Sequence, residues 1–440
     1  MAMRRGKKYF MKMRNKNNKV QIMKYLFFLL FLTINCQLST VNRLYGYTYR
    51  GSFLQLGDEI IGLTAASAAE GGAGIAEIDE PSNIFFNPAG IFSARGELSL
   101  TSGVVSTYER RVHNDTDATT VSNSNLFFDF SGVAASYPVI KDTLSLSFGE
   151  SVMGDFNFFY KEDVNSTTQI IGTNKIDSEG TLNRFGGGVS VNPVKSLLIG
   201  LSAYNLFGSP EQVVSSTTYG TKGVVINSIS TTTAHSFSGT FFVLGGTYHV
   251  GDKTVFGLSY RPQIEVEDSI KENVSKLNAA VTALPNVKNR YKYPDMLSLG
   301  FMFRFPGPSE PTFYIDFIHT NWSSARIKSG TSPWTDCLWS DTLSWRLGAE
   351  HLIRDKKFRY GVAFLPDYSR KGSQRVAVSC GLGFNVWIID LDVSAQYIMR
   401  RNTLEDRIFN VEEDAGLPRI NLVTIDDYAK RFLVTGKIKW

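Results

Sequence analysis

The stretch LSLGFMFRF at residues 297–305 carries the strongest structural signal in this chain. On an extended backbone Leu297, Leu299, Phe301, Phe303 and Phe305 fall on one side, and Ser298, Gly300, Met302 and Arg304 on the other. Such a segment has one greasy face and one small or charged face. At about nine residues it is long enough to cross hydrocarbon as a tilted strand. Two further segments repeat the pattern. Trp387, Ile389, Leu391, Val393, Ala395 and Tyr397 alternate with Ile388, Asp390, Asp392, Ser394 and Gln396, while Phe432, Val434, Gly436, Ile438 and Trp440 alternate with Arg431, Leu433, Thr435, Lys437 and Lys439.

Weaker segments of the same period fill the intervals and predict an all-β chain, a transmembrane antiparallel β-barrel of about 14 strands. They lie near 97–109, 126–137, 143–159, 180–191, 196–207, 237–250, 253–265, 295–305, 312–322, 342–353, 358–366, 374–384, 386–399 and 428–440. Short connections fall at 138–142, 192–195, 251–252, 306–311, 355–357 and 385. Long polar ones fall near 110–125, 160–179, 208–236, 266–294, 323–341, 367–373 and 400–427. The two kinds alternate, as expected when one rim faces the periplasm and the other the outside; a secreted sandwich or propeller, the alternative, has no reason to sort them. The last strand adds an expected assembly signal in Phe432, Gly436, Ile438 and Trp440, addressed to the outer-membrane barrel-assembly machinery. Its terminal aromatic suits the interfacial girdle, and the strand must pair with the first to leave no open edge.

Composition agrees: aromatic residues make up 13%, charged residues only 20%, and there are 38 glycines. A bundle of membrane helices is excluded, because each needs about 20 apolar residues and only one shorter run exists, at 25–34. That run follows Arg4, Arg5, Lys7, Lys8, Lys12, Arg14, Lys16, Lys19 and Lys24, the order of a secretory signal, with a membrane anchor as the alternative. Residues 1–46 are read as the signal region, cleaved between 36 and 46 or lipid-anchored at Cys36. Beyond it the chain is slightly acidic, which leaves no footprint for nucleic acid. Cys337 and Cys380 form one disulfide or stay unpaired.

Residues 47–95 lack the barrel pattern. Ala65, Ala66, Ala68, Ala69 and Glu70 lead into Gly71, Gly72, Ala73, Gly74, Ile75 and Ala76, small residues that let a backbone lie close to a barrel wall. The segment is expected to be a plug within the lumen of a barrel spanning 96–440. It continues through Asp79, Glu80, Pro81, Ser82, Asn83, Ile84, Phe85 and Phe86 to a turn at Asn87, Pro88, Ala89 and Gly90. From Gly72 to Gly90 this order of small residues, an acid, a Ser, an aromatic and Asn-Pro-Ala-Gly resembles the FadL-like family of outer-membrane transport proteins. It also looks like the FadL-like paralogues of spirochaetes. The resemblance implies fourteen strands, long outer loops, a plug, and passive transport of a hydrophobic ligand, typically a long-chain fatty acid, that can leave sideways into the lipid bilayer.

The residues offer two candidate sites beside the plug turn. Gly149, Glu150, Ser151 and Gly154 interrupt the third strand where a lipid-facing strand should be continuous, which marks either a wall opening or ordinary curvature. Inward-facing Arg184, Arg304, Arg346 and Arg431, with Lys437 and Lys439, are candidate partners for a carboxylate ligand. The alternative is a solvated polar lumen balanced by Asp390, Asp392 and Glu350. His113, His235, His249, His319 and His351 are scattered, and neither a Gly-x-Ser-x-Gly elbow nor a phosphate loop occurs, so no catalytic or metal site and no cofactor is expected. Two functions remain: a channel for hydrophobic molecules, and a barrel serving as a docking or secretion accessory.

Overall fold

The computed structural model describes residues 58–113, 120–156, 158–165, 170–220, 223–307, 309–368, 374–405 and 422–440. The signal region, Cys36 and the first part of the predicted plug lie outside these residues. Fourteen strands form the wall: β1 (Glu97–His113), β2 (Thr120–Ile140), β3 (Leu144–Asp155), β4 (Thr181–Val194), β5 (Leu197–Gly208), β6 (Val225–Val250) and β7 (Thr254–Arg261), then β8 (Met296–Arg304), β9 (Thr312–Thr320), β10 (Thr342–Ile353), β11 (Lys356–Pro366), β12 (Gln374–Val386), β13 (Ile389–Glu405) and β14 (Leu422–Lys439). Each pairs antiparallel with the next, and β14 pairs with β1 from Glu97↔Lys439 to His113↔Val423. The sheet is therefore closed, and the wall has no unpaired outer edge strand.

The period read from the sequence sets which side faces out. Leu297, Leu299, Phe313, Phe317, Phe432 and Val434 are exposed on the outer surface, whereas Ser298, Asp316, Arg431 and Thr435 are buried toward the lumen. Three expectations need correction. The third strand ends at Asp155 rather than at 159, because its register shifts between Val152 and Gly154 and the next strand, Phe158–Asn165, belongs to a separate hairpin. The turn expected at Asn385 is instead at Trp387, which takes a positive φ of 61° in a two-residue connection with Ile388.

The third correction concerns the long connections at 160–179, 208–236, 266–294 and 323–341, whose described residues are largely pleated rather than irregular. Phe158–Asn165, Ile170–Glu179, Glu211–Tyr219, the first half of β6, Ile264–Lys276, Val287–Tyr293, Arg326–Ser329 and Thr335–Asp336 join in that order as one antiparallel sheet continuous with the wall. Polar Thr and Ser with interspersed Val and Ile favour this pleat even without a greasy face.

Residues 58–96 fill the lumen. A short helix, Ala65–Ala69, carries a capping box between Thr64 and Ser67, and 3-10 turns follow at Pro81–Phe85 and Pro88–Ile91. Small hydroxyl side chains of the wall hold the plug backbone. Ser147 Oγ donates to Pro81 O, Ser202 Oγ to Ile84 O at 2.6 Å, Ser190 Oγ to Ala89 O and Ser379 Oγ to Ala69 O, while Ala65 N donates to Thr435 Oγ1. Close approach requires glycine on the wall: a Cβ on Gly257 would sit 2.3 Å from Ile75 O, and one on Gly361 2.2 Å from the Glu70 carbonyl carbon. The plug is thus held by many backbone bonds from different strands, each worth about 1 kcal/mol.

Candidate functional site

Between the plug and the rim bearing the long connections lies a cavity of about 130 Å³, open on one side. Its floor is plug, with Ile60, Ile75, Phe85 and Phe86 facing in; Met153, Tyr293, Ile318 and Trp322 contribute from the wall and loops. Aromatic rings form a continuous track from the loops to the plug. Trp339 meets Trp322 with centroids 5.6 Å apart, Trp322 meets Tyr293 at 5.4 Å, Tyr293 meets Phe241 at 5.6 Å, Phe241 stacks on Tyr204 at 5.3 Å, and Tyr204 meets Phe85 at 5.6 Å. Two arginines lie on this track: Arg261 over Tyr293 and Phe241, and Arg184 over Phe85, Phe86 and Tyr204.

The wall changes beside the plug end of the track. Pairing between β2 and β3 stops at Gly132↔Ser151. Beyond that point β2 stays with β1 through a bulge that leaves Ser131 without a partner in the ladder, and β3 stays with β4. The edge of β3 left behind is taken by the plug, with Glu59 opposite Gly154 and Asp58 opposite Asp155. A small pocket at the separation is lined by Leu63, Ser82 and Phe85 of the plug and by Gly132, Glu150 and Ser151 of the wall. Gly149, Glu150, Ser151 and Gly154 therefore lie where two wall strands part and the plug substitutes for one of them.

The plug turn is built around Asn87. Its Nδ2 donates to Ile75 O at 2.6 Å and to Gly246 O at 3.3 Å, its Oδ1 accepts from Ala89 N, and Pro88, Ala89 and Gly90 are buried behind it. Charges fix the rest of the plug. Arg359 reaches Glu70 at 3.1 Å, Glu350 at 2.8 Å and Asp392 at 2.6 Å, and Lys437 reaches Glu80 at 2.5 Å. Burial pushes the Glu70 carboxyl well above its ordinary range. It raises Glu77 to about 8, with the neighbouring Glu80 charge acting the same way and Lys437 and Arg359 opposing.

The four candidate arginines separate. Arg184 and Arg346 line the cavity, but Arg346 is engaged by Glu59 at 2.7 Å and by Gly72 O. Arg431 holds the plug through Ile61 O and Gly62 O and is paired with Asp129, so it is structural. Arg304 is exposed where β8 ends at a short turn, apart from the cavity. Arg261, which the sequence reading does not single out, also lines the cavity; its place in alternation with Phe256, Leu258 and Tyr260 is the signal that marks it as inward-facing. Phe432, Gly436 and Ile438 lie on the closing strand, and Trp440 N donates to Gly96 O at 2.9 Å. Cys337 and Cys380 are free thiols, and among the described residues no cluster of metal-ligating side chains occurs.

No family model and no curated protein matches the sequence. Solved structures do match. The chain is similar to the Pseudomonas putida toluene transporter TodX (16% identity, 86% of this chain and 99% of that one, TM-score 0.60). It is also similar to a Pseudomonas aeruginosa FadL homologue (14%, 87% and 99%, 0.59) and to the Ralstonia pickettii toluene transporter TbuX (16%, 86% and 99%, 0.56). The fold of this chain is the one shared by these transport barrels, and it agrees with the fourteen strands and plug expected from the sequence.

Proposed function

We propose that this chain is a bacterial outer-membrane channel that passes hydrophobic small molecules, long-chain fatty acids among them, by diffusion past the plug and out through the wall between β2 and β3. The observation that carries the reading is the continuity of the ring track, the cavity and the strand separation. An apolar solute entering among the loops meets Trp322, Tyr293, Ile318, Phe86 and Phe85 on the cavity lining, and Phe85 also lines the small pocket beside Ser151. Burial of its surface along that route replaces the hydrophobic hydration it leaves behind. The exposed outward apolar side chains, Phe317 and Phe432 among them, suit a bilayer as solvent. A succession of rings fits an extended acyl chain as well as a compact ring, and this supports the fatty-acid reading alongside the toluene transported by the structural neighbours.

Mass spectrometry of the barrel purified from its native membrane tests the proposal. A hydrophobic molecule retained at near-stoichiometric amounts, and lost when Phe85 and Tyr204 are both replaced by Asn, is the expected result. A wild-type barrel that retains nothing and takes up no added fatty acid or aromatic hydrocarbon contradicts it.

A further inference from the structure

Glu150 stands on β3 between Gly149 and Ser151, and its register sends it outward. Ser145, Ser147 and Ser151 bond the plug or Arg184 from the luminal side of the strand, so the alternate residues Phe148 and Glu150 face the bilayer. Val133 on β2 and Phe185 on β4 lie directly opposite Glu150, and Phe148 and Phe185 are 60% and 54% exposed. Among the described residues this half-buried carboxylate has no hydrogen-bond or ion-pair partner. Further along the same outward row, beyond Phe185, Asn205 and Thr240 bond each other at 2.7 Å.

An ionisable side chain among apolar, lipid-facing neighbours is costly, and such groups mark solute paths. The pocket at the strand separation supplies the path. It takes in Leu63, Ser82 and Phe85 of the plug together with Val133 and Glu150 of the outward row, so it is lined from both sides of the wall. At about 10 Å³ it has room for one water-sized group, and β2 and β3 must part further for a solute to pass. A polar head group crossing that gap leaves its water behind, and a hydrogen-bond acceptor within the gap offsets the loss. Resting on the reading that solutes leave between β2 and β3, we propose that Glu150 is a specificity-determining residue of the exit. Its carboxylate accepts a hydrogen bond from the hydroxyl or undissociated carboxyl head group of an amphiphilic solute, and solutes whose head group carries a donor pass in preference to those without one.

Transfer into proteoliposomes of the full-length barrel at pH 8 is compared for a long-chain alcohol and the methyl ether of the same chain length, each relative to protein-free liposomes. Wild type is expected to favour the alcohol at least about fivefold. Glu150→Val brings the ratio close to one, while Glu150→Gln, whose amide oxygen also accepts, keeps most of the preference. Heat-modifiable gel mobility confirms folding, and the wild-type ratio needs no variant. A wild-type ratio near one overturns this inference and leaves the channel reading standing. So does a preference that survives Glu150→Val, or a Gln variant that behaves as the Val variant does. Transfer of neither solute faster than in protein-free liposomes overturns both.

Discussion

Arg184 on β4 donates from Nε to the hydroxyl of Ser151 on β3 at 2.8 Å, and the same guanidinium lies 4.3 Å from the ring centroid of Phe85. One side chain thus touches the cavity, the plug and the wall at the place where β2 leaves β3. Displacement of any of the three is felt by the other two through a contact of hydrogen-bond or ring-stacking length. The geometry allows a ligand on the plug floor to act on the wall without a change in the fourteen-strand closure.

Loosening the plug turn should open the lumen without unfolding the barrel. Asn87→Ala removes the bonds to Ile75 O, Gly246 O and Ala89 N, at about 1 kcal/mol each. Leakage of small hydrophilic solutes from proteoliposomes should rise while the heat-modifiable folded band stays constant. Unchanged leakage would show that this turn does not restrain the plug.

Plug seating should weaken in alkali. Glu77 has its carboxyl raised to about 8, first by burial and then by Glu80. A raised acid contributes stability that is fully present below its ordinary value, about 4.5, and is lost as pH climbs through about 8. Solute leakage should therefore be greater at pH 9 than at pH 6, and Glu77→Gln should flatten the difference. A wild-type barrel that leaks less at pH 9 contradicts the sign.

The sorted connections predict orientation. Ser216 and Lys271 lie in strands of the loop sheet, whereas Lys141 and Lys356 lie at short turns on the opposite rim. Cysteine substituted at the first pair should react with a membrane-impermeant maleimide on intact cells, and at the second pair only after lysis. Equal labelling of both pairs would overturn the orientation.

Closure should depend on the last residue more than on its neighbour. Trp440 bonds Gly96 and packs its ring against it, so Trp440→Asp puts a charge on the outer face and loosens the β14–β1 seam. Lys439 is part-exposed and pairs with Glu97 at 3.0 Å and Asp79 at 3.5 Å, so Lys439→Gln removes ion pairs but leaves the backbone pairing of β14 with β1 in place. Folded yield should fall several-fold for the first variant and stay near wild type for the second. The reverse ranking would remove the terminal-strand argument.

The wall was legible because period two is a local signal: Leu297 to Phe305, read alone, already gives the outward and inward faces of β8. The loop sheet was not, since Ser and Thr at 215–218 and 230–233 alternate with little contrast in hydropathy, and pairing between 211–219 and 170–179 is a tertiary fact. At the site, Asn87, Gly149–Gly154 and Arg184 could be found from turn chemistry, strand interruption and an inward cation. Which inward arginine meets an acid could not be read, because Arg431 finds Asp129 and Arg346 finds Glu59 across roughly 300 residues of chain. Arg261 and Arg304 both end an alternating strand, and only the fold separates the one that lines the cavity from the one exposed at a short turn.

The most direct measurement of the central claim is uptake of a fluorescent long-chain fatty acid and of a monoaromatic hydrocarbon into proteoliposomes. Wild type, Asn87→Ala and a variant lacking residues 58–95 would be compared at equal amounts of folded barrel. Wild type should take up at least one of these hydrophobic solutes faster than protein-free liposomes while excluding a hydrophilic solute of similar size, and the plug-less variant should lose that exclusion. Uptake by wild type no faster than by protein-free liposomes, together with identical leakage from all three barrels, would contradict the account.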